Sequence, residues 1–258
     1  MSDQNKQRHR EKIVEQFSRQ AIPFARVPGH LGALQLLVEL SGVGREDTVL
    51  DVACGPGLVA CEFARHGGAV TGIDITPTMI EQAEKRQREL GLGNLRWQVG
   101  EAVPLPFADE TFSLVITRYS FHHFLESERA LAEMIRVCRP GGRVLVADVA
   151  VEPEKSSAYD QLETMRDPSH VHALTSEEFV LLFRQSGLVD CRGSGYGVPI
   201  ELETQLRASF PAPEDLPKLR EMVTSDIGVD RLGIAARREG GEVVYTVPIS
   251  VYVGRKPG

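Results

Sequence analysis

The sequence predicts an α/β fold: a doubly wound, mostly parallel seven-stranded sheet with helices ahead of it and a lid insertion in its C-terminal half. Two observations predict it. Between Thr48 and Ala150, short β-branched runs alternate strictly with amphipathic helical stretches, and such alternation implies parallel strands joined by right-handed crossovers. Glycine and proline mark the joins between these runs, as they do where elements stop and restart.

Taken in order, Gln4 to Gln20 carry Ile13, Val14 and Phe17 at helical spacing on a charged background, which predicts an amphipathic surface helix. "HLGALQLLVELSGV" is an apolar helix ending near Gly42 and Gly44. "TVLDVA", residues 48–53, stops abruptly at "CGPG", as a fully buried parallel strand does. A helix from Leu58 to His66 and the strand "AVTGIDI" follow. Thr76 then caps a helix that has Pro77 where a missing N–H is harmless and that stops at Gly91. The third and fourth strands are "LRWQVG" (95–100) and "FSLVITRYS" (112–120). "SERALAEMIRVC" places Leu131, Met134, Ile135 and Cys138 on one stripe, and Pro140-Gly141-Gly142 ends it before the fifth strand, "RVLVADVA".

Beyond Val151 the rhythm loosens. "EPEKSSAYDQLETMRDPSHVHAL" reads as polar and irregular, and "TSEEFVLLFRQSGL" as a helix with Thr175 at the N-cap and Glu178 three residues on. Strands over Val189–Gly195 and in "EVVYTVPISVYVGRK" complete the sheet. Residues 198–240, between them, carry helical periodicity and several prolines and read as an acceptor-pocket or lid insertion. The expected organisation is a helical cover over 1–44, a cofactor-binding core over 45–150, and a remainder, 151–258, that completes the same domain.

Of the 258 residues, 42% are hydrophobic and 25% charged, with a net charge of −7. That composition fits a globular protein and opposes general binding to a phosphate backbone, which needs a basic stripe. No apolar run approaches the roughly 18–20 residues of a bilayer span, and the polar start has no signal-peptide core, so a cytoplasmic protein is expected. The oligomeric state, monomer or homodimer, stays open. The four cysteines form no C-x-x-C pair and read as reduced thiols.

The loop Gly55-Pro56-Gly57 directly follows the first strand, and Asp74 ends the second, 19 positions beyond Gly55. Small residues let backbone approach a ligand, a helix N-terminus offers free N–H groups, and the acid can take a ribose hydroxyl pair, so an adenosine-bearing cofactor is implied. Gly55-x-Gly57-x-x-Ala60 also satisfies the dinucleotide fingerprint, but Asp51 would face and repel a pyrophosphate. S-adenosylmethionine instead presents an α-ammonium group there, which an acid attracts.

"VLDVACGPG", "GIDITPTMIEQA", "GEAVPLPFADETFSLVIT" and "ALAEMIRVCRPGGRVLVAD" together resemble the class I S-adenosylmethionine-dependent methyltransferases, in particular the small-molecule branch similar to the ubiquinone/menaquinone-type C-methyltransferases. The likeness spans residues 48–148 and implies a Rossmann-like fold. It further implies that Asp51, Ala53 and the Gly55–Pro56–Gly57 backbone hold the methionine part, that Asp74 holds the ribose, and that Ile75 and Met79 flank adenine. The family has Asp after the glycine of its next motif; here Glu101 follows Gly100 and precedes Ala102, one methylene longer. Arg118 and Ser120 line the cofactor pocket by the same resemblance. So does an N-terminal aromatic pair matching Phe17 and Phe24, where the family usually has tyrosine at the second place.

Methyl transfer from a sulfonium is an in-line displacement that needs mostly near-attack geometry, giving S-adenosylhomocysteine. A base helps when the acceptor is a phenol or an acidic carbon, and histidine suits neutral pH. In "TRYSFHHF", His122 and His123 follow the fourth strand at the carboxyl edge where open sheets place ligands. Either is a candidate base, and His123 a candidate pocket wall, whereas no acidic or cysteine partners at ligand spacing make them a metal site. Tyr119, His170, His172 and Tyr196 are further candidates for contact with the small-molecule acceptor. A nicotinamide oxidoreductase and a non-catalytic adenosylmethionine-binding protein remain alternatives, and neither nucleic acid nor membrane is an expected partner.

Overall fold

A computed structural model describes residues 3–24 and 32–258, without the side chains of Asp3 and Phe24. The strands are β1 (Thr48–Val52), β2 (Ala69–Asp74), β3 (Leu95–Val99), β4 (Phe112–Arg118), β5 (Cys138–Val149), β6 (Val189–Glu201), β7 (Arg237–Glu239) and β8 (Glu242–Arg255). They form one sheet in the order β3-β2-β1-β4-β5-β8-β6. The first five strands run parallel, and β8 enters antiparallel between β5 and β6. These include the seven strands that the sequence predicts, five of them from the alternation; β7, which pairs with the start of β8, is an eighth.

Every residue of β4 is buried, because the sheet is covered on both faces. Leu37, Phe63, Leu114 and Ile116 pack in the core of one face. Leu50, Phe121, Leu131, Met134 and Phe179 pack in that of the other. The crossover helices are α3 (Leu58–Ala64), α4 (Pro77–Leu90) and α5 (Ser127–Val137), while α1 (Asp3–Phe24) and α2 (Leu34–Ser41) precede the sheet. Strand order reverses between β1 and β4; the diverging loops there open a crevice beyond the strands' carboxyl ends.

Several elements depart from the sequence reading. α5 stops at Val137 and Cys138 already pairs with Phe112, so Pro140-Gly141-Gly142 lies inside an irregular strand start rather than between helix and strand. Thr76 occupies the N-cap of α4 but its side chain makes no capping bond; the Asp74 carboxylate accepts the Thr76 N–H instead, at 2.8 Å. The segment read as irregular holds a regular helix, α6 (Pro153–Arg166). Its fully buried residues are Tyr159, Leu162 and Glu163, the last satisfied by Arg166, so a charged residue interrupts its apolar stripe. By contrast α7 (Ser176–Gln185) has the full Thr175–Glu178 capping box.

β6 also runs past Gly195 to Glu201, absorbing the first residues of the expected insertion. α8 (Leu202–Ser209), a short 3-10 turn (Pro213–Asp215), α9 (Leu216–Ser225) and β7 make up the rest. β8 pairs with β5 only from Ile249 onward, while Val244–Pro248 pair with β6. The β6–β8 ribbon therefore projects beyond the carboxyl end of β5. α1 rests on α4 and α8. Among the described residues no helix is long and apolar enough to cross a membrane.

Trp97 on β3 wedges between the second strand and the glycine loop, held by its indole N–H to Gln87 Oε1 at 2.6 Å. A Cβ at Gly72 would lie 2.4 Å from the Trp97 ring and 3.0 Å from Cys54 Sγ. Gly72→Ala should therefore cost about 1–3 kcal/mol by overpacking. The thermal midpoint should fall by about 2–4 °C per kcal/mol, as differential scanning calorimetry would show.

Candidate active site

The crevice holds a cleft of about 390 Å3. β1 and β2 deliver Asp51 and Asp74 to its floor, and the loop after β1 delivers Ala53, Gly55 and Pro56. The segment after β2 brings Ile75 and Met79, the loop after β3 brings Gly100, Glu101 and Ala102, and the end of β4 brings Arg118, Tyr119, Ser120 and His123. Phe17 reaches in from α1. Phe24 lies outside the described residues as far as its side chain is concerned.

Local backbone explains the loop. Gly55 has φ +52°, and a Cβ there would meet only Met79 Sδ at 4.0 Å, so its open side is the cleft itself. Gly57, at φ +76°, does not line the cleft. Its missing side chain leaves room for Trp97 and Ala83, which a Cβ would approach to 2.7 and 3.0 Å; it serves helix-on-sheet packing. Ala53 (φ 53°) and Tyr119 (φ 60°) also sit in the left-handed region, conformations that cost energy in non-glycine residues and concentrate at functional sites.

The floor is electrostatically unusual. Asp51 accepts the Ala60 N–H from the first turn of α3 at 2.9 Å, yet burial pushes its carboxyl up to about 7 despite the pull of Arg118 and that bond. Asp74 accepts Gly55 N–H and Thr76 N–H, both at 2.8 Å, and burial raises it too, with those bonds opposing. Arg118 is buried and lies 4.5 Å over the Tyr119 ring. Thr117 Oγ1 donates to the Val52 carbonyl at 2.7 Å, so in its 2.5 Å contact with Ser120 Oγ the serine is the donor.

α1 lies across the mouth. Arg10 pairs with Glu101, Lys6 pairs with Glu126 at 2.9 Å, and His9 Nε2 donates to the His123 carbonyl at 2.7 Å. Lys6, His9, Arg10 and Ile13 thus join the wall, residues the sequence reading missed. The signal available was the basic run on α1, which reads in isolation as a solvated helix face.

Asp148, at the end of β5, shapes the histidine loop. It accepts Ser120 N–H at 2.7 Å, Phe121 N–H at 2.6 Å and His122 Nδ1 at 2.6 Å. Burial alone would strip the His122 proton, but Asp148 outweighs it and raises the imidazole. His122 does not line the cleft and faces a second cavity. His123 lines both. Its Nδ1 lies 3.0 Å from the Ser169 carbonyl, which can only accept, so Nδ1 bears the hydrogen and Nε2 keeps a lone pair. Burial and the neighbouring His122 drive its proton affinity well below the usual histidine range.

The other acceptor candidates lie elsewhere. His170 Nε2 and His172 Nδ1 both bond Asp160, at 2.7 and 2.6 Å, and His172 Nε2 reaches Glu178 at 3.0 Å. Asp160, with Glu178, holds His172 protonated, up to about 9. These two histidines brace α6 against α7 and line neither cavity. Tyr196 likewise lines neither, and touches the site through its hydroxyl, 2.9 Å from that of Tyr119.

The switch point of an open α/β sheet, where this carboxylate-floored cleft lies, is where such folds bind ligands. Comparison with known proteins narrows the class: residues 50–146 match the family model described as methyltransferase domain. The methyltransferase YcgJ of Bacillus subtilis is 28% identical over 231 residues, 86% of this chain and 90% of that protein. Its crystal structure superposes with a TM-score of 0.80 over 88% of this chain and 98% of that one, at 24% identity, a likeness of fold. The ubiquinone/menaquinone biosynthesis C-methyltransferase UbiE of Klebsiella pneumoniae is 37% identical over 130 residues. This chain spans 51% of that protein, and the match takes in 48% of this chain. A geranyl diphosphate methyltransferase in complex with S-adenosylmethionine shares the fold at a TM-score of 0.62 and 18% identity, over 88% of this chain and 85% of that one.

The Asp51 carboxyl has a stability consequence. Between its unfolded value of about 3.9 and about 7, the folded chain keeps a proton that the unfolded chain has lost. Stability contributed by that proton is complete below the unfolded value and is lost as pH rises through 7. Asp51→Asn removes the penalty, so the ligand-free variant should melt several degrees above wild type at pH 8. The gap should narrow toward pH 5 when followed by circular dichroism.

Proposed function

We propose that the chain catalyses transfer of a methyl group from S-adenosylmethionine to a small-molecule acceptor. One observation carries the reading: two buried carboxylates, Asp51 and Asp74, stand on the floor of a cleft whose glycine loop leaves room for a ligand at Gly55. That donor set suits adenosylmethionine. Asp51 would attract an ammonium group, the Gly55 and Pro56 backbone would lie against the methionine part, and Asp74 would take ribose hydroxyls on its remaining lone pairs. Ile75 and Met79 would flank adenine. Glu101 would accept the adenine amino group beside its pairing with Arg10. A pyrophosphate would instead face the Asp51 carboxyl, which opposes the nicotinamide alternative.

When bound, adenosylmethionine supplies a methyl carbon activated by a positively charged sulfur. The chain's own residues would orient and deprotonate. Phe17 places an aromatic ring at the cleft, edge-on to His123 at 5.0 Å, where it can face a sulfonium. His123, neutral and with its Nε2 lone pair free of the Ser169 bond, can accept a proton from an acceptor as the new bond forms. His122, fixed by Asp148, positions its neighbour. What UbiE or the geranyl diphosphate enzyme methylates is not carried over, because the likeness to UbiE stops at about half of that chain and the other is a likeness of fold.

Titration calorimetry should show S-adenosylmethionine and S-adenosylhomocysteine binding more tightly than NAD. Absence of binding by both, or tighter binding of NAD, would refute the assignment. With an acceptor found by screening metabolites for mass gain, His123→Ala should lower turnover at least about 100-fold, the low end of what a general base contributes. Its affinity for S-adenosylhomocysteine should stay within a few-fold; unchanged turnover would return both histidines to packing.

A further inference from the structure

The second cavity, about 90 Å3, shares Phe17, Tyr119 and His123 with the cleft, several times the about 10–15 Å3 that one water requires. We propose that it is the acceptor subsite, and that it selects a compact, uncharged molecule with a small apolar body and a hydroxyl or N–H donor. This rests on the methyltransferase reading and adds the class of acceptor.

Charge on the polar wall excludes anions. Arg166 is matched by Glu163, through Nε to Oε1 at 3.0 Å and Nη2 to Oε2 at 2.5 Å. His122 is matched by Asp148 at 2.6 Å. A third lining carboxylate, Asp167, is buried and receives neutral donors: the Ser169 N–H at 2.9 Å, the Ser169 hydroxyl at 2.5 Å and Gln20 Nε2 at 3.3 Å. With each lining cation already paired, the wall carries one net negative charge. A carboxylate or phosphate entering would lose its hydration and meet a net repulsion.

One acceptor of the lining has no donor opposite it among the described residues. Gln205 lines the cavity, and its Oε1 is buried with no hydrogen-bond partner among the described residues, an arrangement native structures seldom leave unfilled. Val198, Ile200, Val247 and Ile249 of the β6–β8 ribbon also line it and supply an apolar face. A ligand with one donor end and one apolar side satisfies both walls.

The test uses the chain saturated with S-adenosylhomocysteine and three probes of one ring: phenol, anisole, which lacks the donor, and benzoate, which is anionic. Saturation-transfer NMR titrations should place phenol at least fivefold tighter than either of the others. Gln205→Leu should reduce the preference for phenol over anisole at least threefold while homocysteine-adduct affinity stays within twofold. Asp167→Asn, checked by its melting curve, should improve benzoate binding. Benzoate or anisole binding as tightly as phenol would overturn the proposal, as would no probe binding the loaded chain or a phenol preference indifferent to Gln205→Leu. Failure of S-adenosylhomocysteine itself to bind would be a separate result, removing the methyltransferase reading and this proposal with it.

Discussion

The site depends on two carboxylates buried at the ends of adjacent parallel strands. Asp74 ties Gly55 to Thr76 through their N–H groups, fixing the loop after β1 against the start of α4. Asp51 takes an N–H from the first turn of α3, where a helix terminus favours negative charge. Burial nonetheless leaves Asp51 unwilling to ionise near neutrality. A fold that tolerates this gains nothing in stability from it, which is the usual mark of a group kept for a ligand. A positively charged partner is the chemistry that would relieve it.

Around that floor, two elements foreign to the central alternation finish the enclosure. α1 lies over the mouth, held by Arg10–Glu101 and Lys6–Glu126. These pairs are half exposed, so each is worth little alone; the buried Gln16 and Gln20 tie the helix to the Ser209 carbonyl and to Asp167. The β6–β8 ribbon, free of β5 before Ile249, supplies the apolar side of the inner cavity. His123 stands between the two spaces. Its loop is organised by Asp148, so the acid at the end of the fifth strand sets the geometry at the end of the fourth.

Much of this was legible in the residues. Short β-branched runs and their punctuation locate β1 to β5 within a few positions, and the Thr175–Glu178 box marks its helix correctly, because these signals are local. Asp51, Gly55 and Asp74 could be assigned to one cleft because a parallel sheet brings consecutive strand ends together, whereas Met79 was placed there only by the family resemblance. What stayed hidden depends on distant partners. α6 buries a charged pair, Glu163 with Arg166, where a hydrophobic stripe would have announced a helix. Gly57 has a loop glycine's appearance but makes room for Trp97, some 40 residues on. His170 and His172 look like pocket residues until Asp160 is seen to hold both. The basic residues of α1 acquire meaning only when Glu101 and Glu126 are found opposite them.

The central claim is that Asp51 is held in reserve for a cation. Its carboxyl can be followed directly by carbon-13 NMR across a pH titration, with and without saturating S-adenosylmethionine, using Asp51→Asn to assign the signal. The ligand-free midpoint should lie near 7 and fall by about 1–3 units once an opposite charge sits within reach. A midpoint that is unchanged or rises on saturation would contradict the account.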